Sequence, residues 1–354
     1  MLSGNKGEWS EIYVFFKLLA DGKLHLANSD LTIDHNSYYP IIRILRQQKN
    51  FSYEYEIVES DVRISSNHKT DPDIFISRSA FANAAKELIK AIAMAEGNFS
   101  VPTAESIIND ARISSLKEPH SDKGDISILA HDARIGKETE MSFSIKSQLG
   151  SSPTLLNASG ATNFQFDINS NLTDLRMEEL NNLGIKALIQ QLISDGIEIS
   201  FLKINNTQFA LNLQMIDTKM PQIIATMLLA YYAGAGTTLS DLTHAVEEMD
   251  PASLGPNNSS FYTHNIKTLL IEVALGMTPS RPWNGEYDAT GGYIIVRPGG
   301  EIVCFHAYNR AEFKDYLLVS TKFETASRKK HDFGYIYRID GGICIDLNLQ
   351  IRFV

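Results

Sequence analysis

Two neighbouring strands are predicted by the stretches Lys123-Gly-Asp-Ile-Ser-Ile128 and Met141-Ser-Phe-Ser-Ile-Lys-Ser-Gln148. Side chains of an extended segment alternate between its two faces. The second stretch therefore has a polar face and an apolar face. Ser142, Ser144, Lys146 and Gln148 form the polar row, and Met141, Phe143 and Ile145 form the apolar row. This pattern predicts a strand of a sheet with one buried face, as in an α/β protein.

Two charged residues on these strands suggest a chemistry. Asp125 opens the first strand, and Lys146 lies about twenty residues later on the second. An acid and a lysine on adjacent strands suit a hard-cation site with an ammonium beside it, which is typical of phosphodiester hydrolysis. The alternative is a surface ion pair on a two-stranded ribbon, because acids and lysines at this separation are common.

Three further residues are candidates for the same site. Glu8 and Glu11 flank Trp9 on a predicted opening helix, and Glu11 lies beside the apolar stripe, where it reaches towards a neighbouring site. Gln148, in line with Lys146, offers a carbonyl oxygen to a metal or to water. The alternatives are a solvated helix acid and an ordinary edge-strand glutamine.

Composition restricts the class of protein. The chain has 354 residues, of which 44% are hydrophobic and 21% charged, so one large or two modest globular domains are expected and disordered or fibrous classes are excluded. Cys304 and Cys344 lie in apolar runs and are predicted to be reduced core residues, which fits the cytoplasm. No signal peptide is expected at the start. The apolar run from Ile223 to Tyr232 is shorter than the roughly 20 residues of a membrane span, so a buried core helix is predicted instead.

Charge is distributed unevenly along the chain. The net charge is −10, and residues 1–280 hold 22 basic and 33 acidic residues, whereas residues 281–354 hold 10 and 9. The total argues against nucleic-acid binding, because phosphate affinity comes from Lys and Arg. The basic residues of the second part are clustered, however, and an acidic body with a locally basic face is compatible with DNA binding.

Periodicity predicts helices over 9–19, 78–96, 176–194, 220–234 and 260–276. Residues 53–64 alternate as a strand does, and 198–217 resemble a β-hairpin that turns at Asn205-Asn206. Two further hairpins are predicted near the C-terminus, one turning at Arg297-Pro-Gly-Gly300 and one at Asp340-Gly-Gly342. The sequence contains no nucleotide-binding glycine loop, no Gly-x-Ser-x-Gly elbow and no metal-binding spacing of His or Cys.

Longer segments resemble a known family, the HpaII-type restriction endonucleases. They run from the first predicted helix almost to the C-terminus, and they are far more specific than one acid and one lysine. These segments are Gly4-Asn-Lys-Gly-Glu-Trp-Ser-Glu11, Phe143-Ser-Ile-Lys-Ser-Gln-Leu-Gly150, Thr154-Leu-Leu-Asn-Ala-Ser159, Asp288-Ala-Thr-Gly-Gly-Tyr-Ile-Ile-Val296, Tyr308-Asn-Arg-Ala-Glu-Phe-Lys-Asp-Tyr316, Thr321-Lys-Phe-Glu324 and Leu349-Gln-Ile-Arg-Phe353.

The resemblance implies a type II endonuclease with a PD-(D/E)XK mixed central sheet flanked by helices, which uses Mg2+ to cut double-stranded DNA at a short palindrome, CCGG for the namesake. Asp125 is then the metal-binding acid, Lys146 the motif lysine, and Glu11 a second metal ligand from the first helix. Ser144 departs from the family's pattern, because an acid usually stands there. Some restriction enzymes also have serine at this place and supply the carboxylate from elsewhere, so the candidates for the missing ligand are Glu11, Glu8 and Gln148, in that order.

The resemblance also suggests partners. A palindromic site favours a homodimer, with a monomer that nicks twice as the alternative, and a cutter of this kind requires a cognate DNA methyltransferase. The basic cluster supplies the candidate DNA contacts, each of which is also an ordinary surface residue in the alternative interpretation. These candidates are Arg310, Lys322, Arg328, Lys329, Lys330 and His331.

Residues 1–200 are expected to form the nuclease core. Residues 201–354 are expected to form a helical linker and a β-rich DNA-recognition region, either separate from the core or packed with it into one unit. Two other functions remain open from the sequence: a DNA-binding protein with a degenerate nuclease site, suggested by Ser144 and the acidic body, and a repair nuclease that ignores sequence.

Overall fold

The structure is a computed structural model that describes residues 1–48, 51–67, 71–118, 124–132, 136–307, 309–339 and 341–354. Three residues used above, Lys123, Tyr308 and Asp340, lie outside the described residues. The chain divides into two compact units. The first unit contains residues 1–153 and 287–313, and the second contains residues 154–286 and 314–354.

The described residues form α-helices and β-strands, which we number in chain order. The helices are α1 Lys6–Asp21, α2 Arg78–Met94, α3 Glu105–Asp110, α4 Asp174–Asn181, α5 Ile185–Ser194, α6 Thr207–Ile216, α7 Met220–Ala233, α8 Leu239–Met249, α9 Ser259–Leu275, α10 Arg310–Ser320 and α11 Arg328–His331. The strands are β1 Lys23–Ala27, β2 Ile33–Gln47, β3 Ser52–Val58, β4 Asp61–Ser66, β5 Ile74–Ser77, β6 Ile126–Asp132, β7 Lys137–Ser147, β8 Thr154–Leu156, β9 Asn163–Asn169, β10 Glu198–Ile204, β11 Gly292–Val296, β12 Ile302–His306, β13 Thr321–Phe323, β14 Ile336–Ile339, β15 Gly342–Asn348 and β16 Ile351–Phe353.

A mixed sheet is the centre of the first unit. Its described strands have the order β1-β12-β11-β7-β6-β2-β3-β4-β5. The pairs β1 with β12 and β11 with β7 are parallel, and the other pairs are antiparallel. The long strand β2 pairs with β6 through its second half and with β1 through its first half, so six of the strands form a closed ring.

Helix α1 packs against this sheet and opens the fold. Asn5 and Glu8 form a capping box at its start, and Gly22, with φ of 68°, ends it in the left-handed conformation that glycine adopts without strain. The apolar residues of α1 are fully buried and join the core of the first unit. These residues include Trp9, Ile12, Val14, Phe15, Phe16, Leu18 and Leu19.

The second unit combines helices with two smaller sheets. One sheet has the order β10-β9-β15-β14, and the other has the order β13-β16-β8. Helix α7 is the apolar centre of the unit, with Ile223, Ile224, Met227 and Leu228 almost fully buried. It is the core helix predicted for this segment, and among the described residues no helix combines the length and the apolar character needed to cross a bilayer.

Most predicted elements are confirmed, and one is wrong. Residues 198–217 do not form a β-hairpin, because the strand β10 is followed by the helix α6. The Asn206 side chain accepts a hydrogen bond from the Phe209 amide and caps α6, so the asparagine pair begins a helix where a turn was predicted.

Two other predictions were too long. The helix predicted over 176–194 is two helices, α4 and α5, separated at Gly184. The strand predicted over 53–64 is the pair β3 and β4, joined where Glu59 has a φ of 52°.

The boundary predicted between residues 200 and 201 falls inside β10 of the second unit, whereas the compact units divide the chain at 153, 286 and 313. The two cysteines are buried and not in a disulfide, as predicted.

Candidate active site

Asp125 is held at the junction of β6 and β7. It immediately precedes β6 and lies opposite Ser144 of β7, and its amide donates to the Phe143 carbonyl oxygen at 2.8 Å. Its Oδ2 accepts two hydrogen bonds, from the Ser144 hydroxyl at 3.1 Å and from the Ile145 amide at 2.7 Å. No described residue donates a hydrogen bond to Oδ1. The carboxylate is therefore fixed through one oxygen, while the other is available to a ligand.

Lys146 lies two residues beyond Ser144 on the same face of β7. Its ammonium is 5.1 Å from the centroid of the Tyr293 ring, which is contributed by β11. The parallel register of β7 and β11 sets Ser144 opposite Tyr293 and Lys146 opposite Ile295. Loss of hydration lowers the pKa of Lys146, and the negative charges of Asp125 and Glu11 act in the opposite direction. Lys146 and the two acids thus form one electrostatic cluster.

Glu11 enters this cluster from α1. The preceding residue, Ser10, donates its hydroxyl to the Ser147 hydroxyl at 2.8 Å, which joins this turn of the helix to the end of β7. The pKa of Glu11 is raised from 4.5 to about 8, mainly by burial and also by the nearby charge of Asp125, while the charges of Lys117 and Arg46 act in the opposite direction. Among the described residues, no hydrogen-bond donor or ion-pair partner compensates the Glu11 carboxylate, so its negative charge is unfavourable in the protein alone.

The cluster matches the way in which proteins bind a hard cation. A carboxyl group whose pKa is raised by burial and by a neighbouring carboxylate, as that of Glu11 is, is stabilised in its charged form when a cation lies beside it. Mg2+ is usually bound through one or two carboxylates together with waters and phosphate oxygens, and not by a cage of protein ligands. No group of three His, Cys, Asp or Glu side chains suited to a metal occurs in the described parts of the chain. The donors present fit Mg2+ and do not fit a closed structural metal site.

The two other candidate ligands have different surroundings. Glu8 accepts a hydrogen bond from the Asn5 amide at 2.8 Å, and its other carboxylate oxygen lies 3.8 Å from the Lys117 ammonium. Gln148 is exposed, one residue beyond the end of β7, and its backbone N–H donates to the Val296 carbonyl oxygen at 2.9 Å. Because Glu8 is engaged in capping and ion pairing, Glu11 is the better candidate for the second acid.

Comparisons with known proteins give the family. Residues 5–353 match the family described as HpaII restriction endonuclease. The chain is 42% identical over 356 residues to the type II restriction enzyme HpaII of Haemophilus parainfluenzae, and the match covers 99% of each chain. The chain belongs to the HpaII restriction endonuclease family. No solved structure matches it.

Membership of the HpaII family confirms the predicted class of enzyme, a type II site-specific deoxyribonuclease. The family acts on DNA, so the basic residues predicted as DNA contacts are of interest. Arg310 begins α10, lies 5.3 Å from the Tyr287 ring centroid and donates to the Tyr287 hydroxyl. Lys322 lies in β13, where it is half-buried.

The remaining predicted contacts are in α11, and they differ from one another. Arg328 donates to the carbonyl oxygens of Leu183, at 2.7 Å, and Gly334. Lys329 and Lys330 are exposed. The His331 carbonyl oxygen accepts a hydrogen bond from the Asn163 side chain at 3.0 Å. In this HpaII-family chain, the cluster in the sequence therefore divides into Arg328, which is tied into the unit, and two lysines that face solvent.

Sequence reasoning missed two residues that support the cluster. Tyr293 lies beside the Lys146 ammonium, and the Ser10 hydroxyl joins α1 to β7. The stretch containing Tyr293 was recognised as part of a hairpin, but nothing in it indicated that β11 pairs with a strand almost 150 residues earlier. Ser10 had a weak signal, because a serine within the buried stripe of a helix usually has a hydrogen-bond partner.

Proposed function

We propose that this chain hydrolyses phosphodiester bonds of double-stranded DNA at CCGG in an Mg2+-dependent reaction, at a PD-(D/E)XK-type site formed by Asp125, Lys146 and Glu11. The observation that carries the proposal is that Asp125, which precedes β6, Lys146 of β7 and Glu11 of α1 interact electrostatically, with Glu11 and Lys146 both desolvated. The CCGG site is suggested by the relative named HpaII, which is 42% identical over nearly the whole chain.

The roles of the residues follow from their positions. Asp125 and Glu11 hold Mg2+, with Gln148 as a neighbouring polar contact for water or DNA. When bound, the ion lowers the pKa of a coordinated water and neutralises charge on the phosphate. Lys146 orients the attacking water, and its positive charge stabilises the charge that develops on the phosphorus centre.

The surroundings of Lys146 have opposing effects on its protonation. Desolvation favours the neutral amine, while the two carboxylates and the Tyr293 ring favour the ammonium. Because its pKa is lowered, this lysine loses its proton more readily than a solvated one, so its neutral amine is available to take a proton from water, and its protonated form acts as a cation. The Ser144 hydroxyl replaces the usual second acid of the motif and holds Asp125, while Glu11 supplies the missing carboxylate from α1.

Recognition of CCGG requires donors for guanine edges in the major groove, which arginine and lysine supply. Arg310, Lys322, Lys329, Lys330 and His331 are the proposed DNA contacts. We assign Arg328 a supporting role, because its guanidinium is tied to backbone carbonyls. We also propose a homodimer, a cognate DNA methyltransferase as the functional partner, and a location in the cytoplasm.

Digestion of a mapped plasmid tests the proposal. In Mg2+ the parent protein should give the fragments expected for cleavage at CCGG, and EDTA should abolish them. Lys146→Ala should cut at least about 100-fold more slowly. Lys137→Ala is a matched control, because Lys137 is exposed at the other end of the same strand. Equal rates for Lys146→Ala and the parent contradict the site assignment.

The same digestion separates the other functions. A degenerate nuclease, which the serine at position 144 suggests, shifts DNA in a gel and leaves the plasmid intact in Mg2+. A repair nuclease gives a smear of fragments that does not depend on the CCGG map. Either result contradicts cleavage at CCGG.

A further inference from the structure

A shallow, open basic depression of about 690 Å3, called the cavity below, lies in the second unit, between the start of α5 and the start of α11. Its described lining contains three cationic residues and three hydroxyl groups, and none of its lining residues is Asp or Glu. A concave surface with one sign of charge attracts ligands of the opposite charge. The cationic residues are Lys186, Arg328 and Lys329, and the hydroxyl groups belong to Thr325, Ser327 and Tyr335.

Backbone donors add to this lining. Helix α5 begins after Gly184, which has no capping side chain, and no acid lies in its first turn. The first amides of a helix have no acceptor within the helix, so an uncapped start keeps this capacity for an anion. Ile185, Lys186 and Ala187, all in the cavity lining, are the first residues of α5.

Arg328 fixes the geometry of the cavity. Its guanidinium lies 4.1 Å from the Tyr335 ring centroid and donates to carbonyl oxygens of Leu183 and Gly334. Leu183 precedes Gly184, the N-cap of α5, so Arg328 connects the two sides of the cavity. Gly334 has φ of 79°, and a Cβ there would lie 2.7 Å from Ile185 and 3.1 Å from Arg328, so glycine is required for this close approach.

Two lysines remain for a ligand. The Lys186 ammonium is 4.2 Å from the Tyr231 ring centroid, and the Tyr231 hydroxyl is hydrogen-bonded to that of Thr325 at 2.9 Å. Lys329 is exposed at the start of α11. Within the described parts of the chain, neither ammonium has a hydrogen-bond acceptor or an ion-pair partner. Both are therefore available to an anionic group.

We propose that this cavity binds a phosphate group of the DNA backbone, with Lys186 and Lys329 as the contacting cations and Arg328 as the residue that holds the walls. This inference rests on the proposed action on duplex DNA. A backbone contact of this kind adds affinity without reading sequence. It gives an acidic chain a local site of attachment to its substrate.

Salt dependence of DNA binding tests the proposal directly. Affinities of the parent, Lys186→Met, Lys329→Ala and the double variant are measured in EDTA between 50 and 200 mM NaCl, on duplexes with and without CCGG. The slope of log K against log salt is negative, and its magnitude decreases by about 0.9 for each phosphate contact that is lost. We expect each single variant to bind about tenfold more weakly on both duplexes. In the double variant the magnitude of this slope should decrease by about 0.9 if both lysines bind one phosphate and by about 1.8 if they bind two.

Controls distinguish the possible failures. Lys219→Ala removes an exposed lysine of the same unit outside the cavity and should keep the parent slope. Thermal unfolding of each variant in the absence of DNA should match the parent, since neither lysine is buried. If the parent binds no DNA at all, the proposed function fails. If the parent binds and the cavity variants keep its slope, the cavity assignment alone is wrong.

Inorganic phosphate separates the two sources of the ligand. If phosphate raises the Tm of the parent above that in equal ionic strength of NaCl, and the Lys186→Met and Lys329→Ala variants lose this increase while their DNA slopes stay unchanged, the cavity binds free phosphate and the DNA proposal is overturned. If the variants lose slope on DNA, the proposal is supported whether or not free phosphate also binds.

Discussion

Buried polar side chains of the two units differ in how completely they are paired. In the first unit, Glu11 and Lys146 are desolvated charges beside Asp125, and the described residues give Glu11 no donor and Lys146 only an aromatic ring. In the second unit, the two N–H groups of the Asn348 side chain are shared among the Ser159 carbonyl oxygen at 2.8 Å, the Thr162 hydroxyl at 3.0 Å and the Asn163 Oδ1 at 2.7 Å, and its own Oδ1 has no described donor.

This difference separates a site from a structural network. A buried polar group that is fully hydrogen-bonded stabilises and orients the chain around it, whereas a buried charge without a partner costs free energy. Proteins retain such unpaired charges at sites where a ligand supplies the missing interactions. The comparison therefore predicts that substitutions of Glu11, Asp125 or Lys146 reduce catalysis, and that substitution of Asn348 reduces stability.

Asp125→Asn should have the largest effect. The amide keeps the size of the side chain but removes the negative charge that we propose binds the cation, so we expect cleavage to fall by about 1,000-fold or more. DNA binding in EDTA should be unchanged or stronger, because a negative charge near the phosphate is lost. Single-turnover cleavage and a gel-shift titration measure the two quantities.

The matched control is Asp73→Asn, an exposed acid of the same unit, which should cleave at the parent rate. If Asp125→Asn unfolds at a much lower temperature than the parent, Asp125 has the structural role that we assign to Asn348, and the distinction between the two regions does not hold.

Glu11→Gln should reduce cleavage by about 100-fold and also stabilise the protein without metal. The folded-state pKa of Glu11 is about 8, above its usual 4.5, so the folded protein binds the proton more tightly than the unfolded chain. The parent therefore loses stability as the pH rises from 4.5 to 8. Glutamine removes this loss, and the Tm difference in favour of the variant should be near zero below pH 4.5 and constant above pH 8.

Solvent screening limits the stability difference between Glu11→Gln and the parent. Glu11 is partly exposed, so we expect about 2 kcal/mol, or roughly 5 °C in Tm, in EDTA. Glu96→Gln, an exposed acid after α2, should follow the parent at every pH. A Tm difference for Glu11→Gln that does not change between pH 4 and 9 would show that Glu11 carries no raised pKa.

Local pattern predicted much of the fold. Alternation predicted the two faces of β7, and helical spacing predicted α1, α2, α7 and α9, because in these segments propensity and burial agree. The failures have local causes. Asn205 and Asn206 are residues of turns and also of helix caps, and only the packing of Phe209 and Leu213 in the core decides for α6.

The candidate site was predictable in part. Asp125 and Lys146 follow from strand alternation, and the pairing of β6 with β7 agrees with the prediction that their strands are neighbours. Glu11 was proposed from its place beside the apolar stripe of α1, and its raised pKa fits that proposal. Tyr293 was not predictable, because the pairing of β11 with β7 joins segments that are distant in sequence.

Asn348→Ala should test the second region. It removes the hydrogen bonds that the Asn348 side chain donates to three acceptors in a largely buried network, and Asn163 Oδ1 is left without another described donor, so we expect a loss of about 1 to 3 kcal/mol in the free energy of unfolding. Urea denaturation measures this loss. The cleavage rate of the folded protein at saturating DNA should equal that of the parent.

Asn169→Ala provides the control for Asn348, because Asn169 is an exposed asparagine at the end of β9 in the same unit. It should change the free energy of unfolding by less than about 0.5 kcal/mol. A large loss of cleavage in Asn348→Ala under conditions in which it is fully folded contradicts a purely structural network.

Ser144→Ala should have the smallest effect, and it tests how the cluster itself is held. The Ser144 hydroxyl is one of two donors to Asp125 Oδ2, and the Ile145 amide remains when it is lost. We expect cleavage to fall by about 3- to 10-fold, which corresponds to one ordinary hydrogen bond, and the concentration of Mg2+ needed for half-maximal cleavage to rise. Ser142→Ala, two residues earlier in the same polar row, should match the parent in both measurements. A lower rate with no change in the Mg2+ requirement would mean that the hydroxyl acts on the DNA and does not position Asp125, and Ser144 would then have to be counted among the substrate contacts.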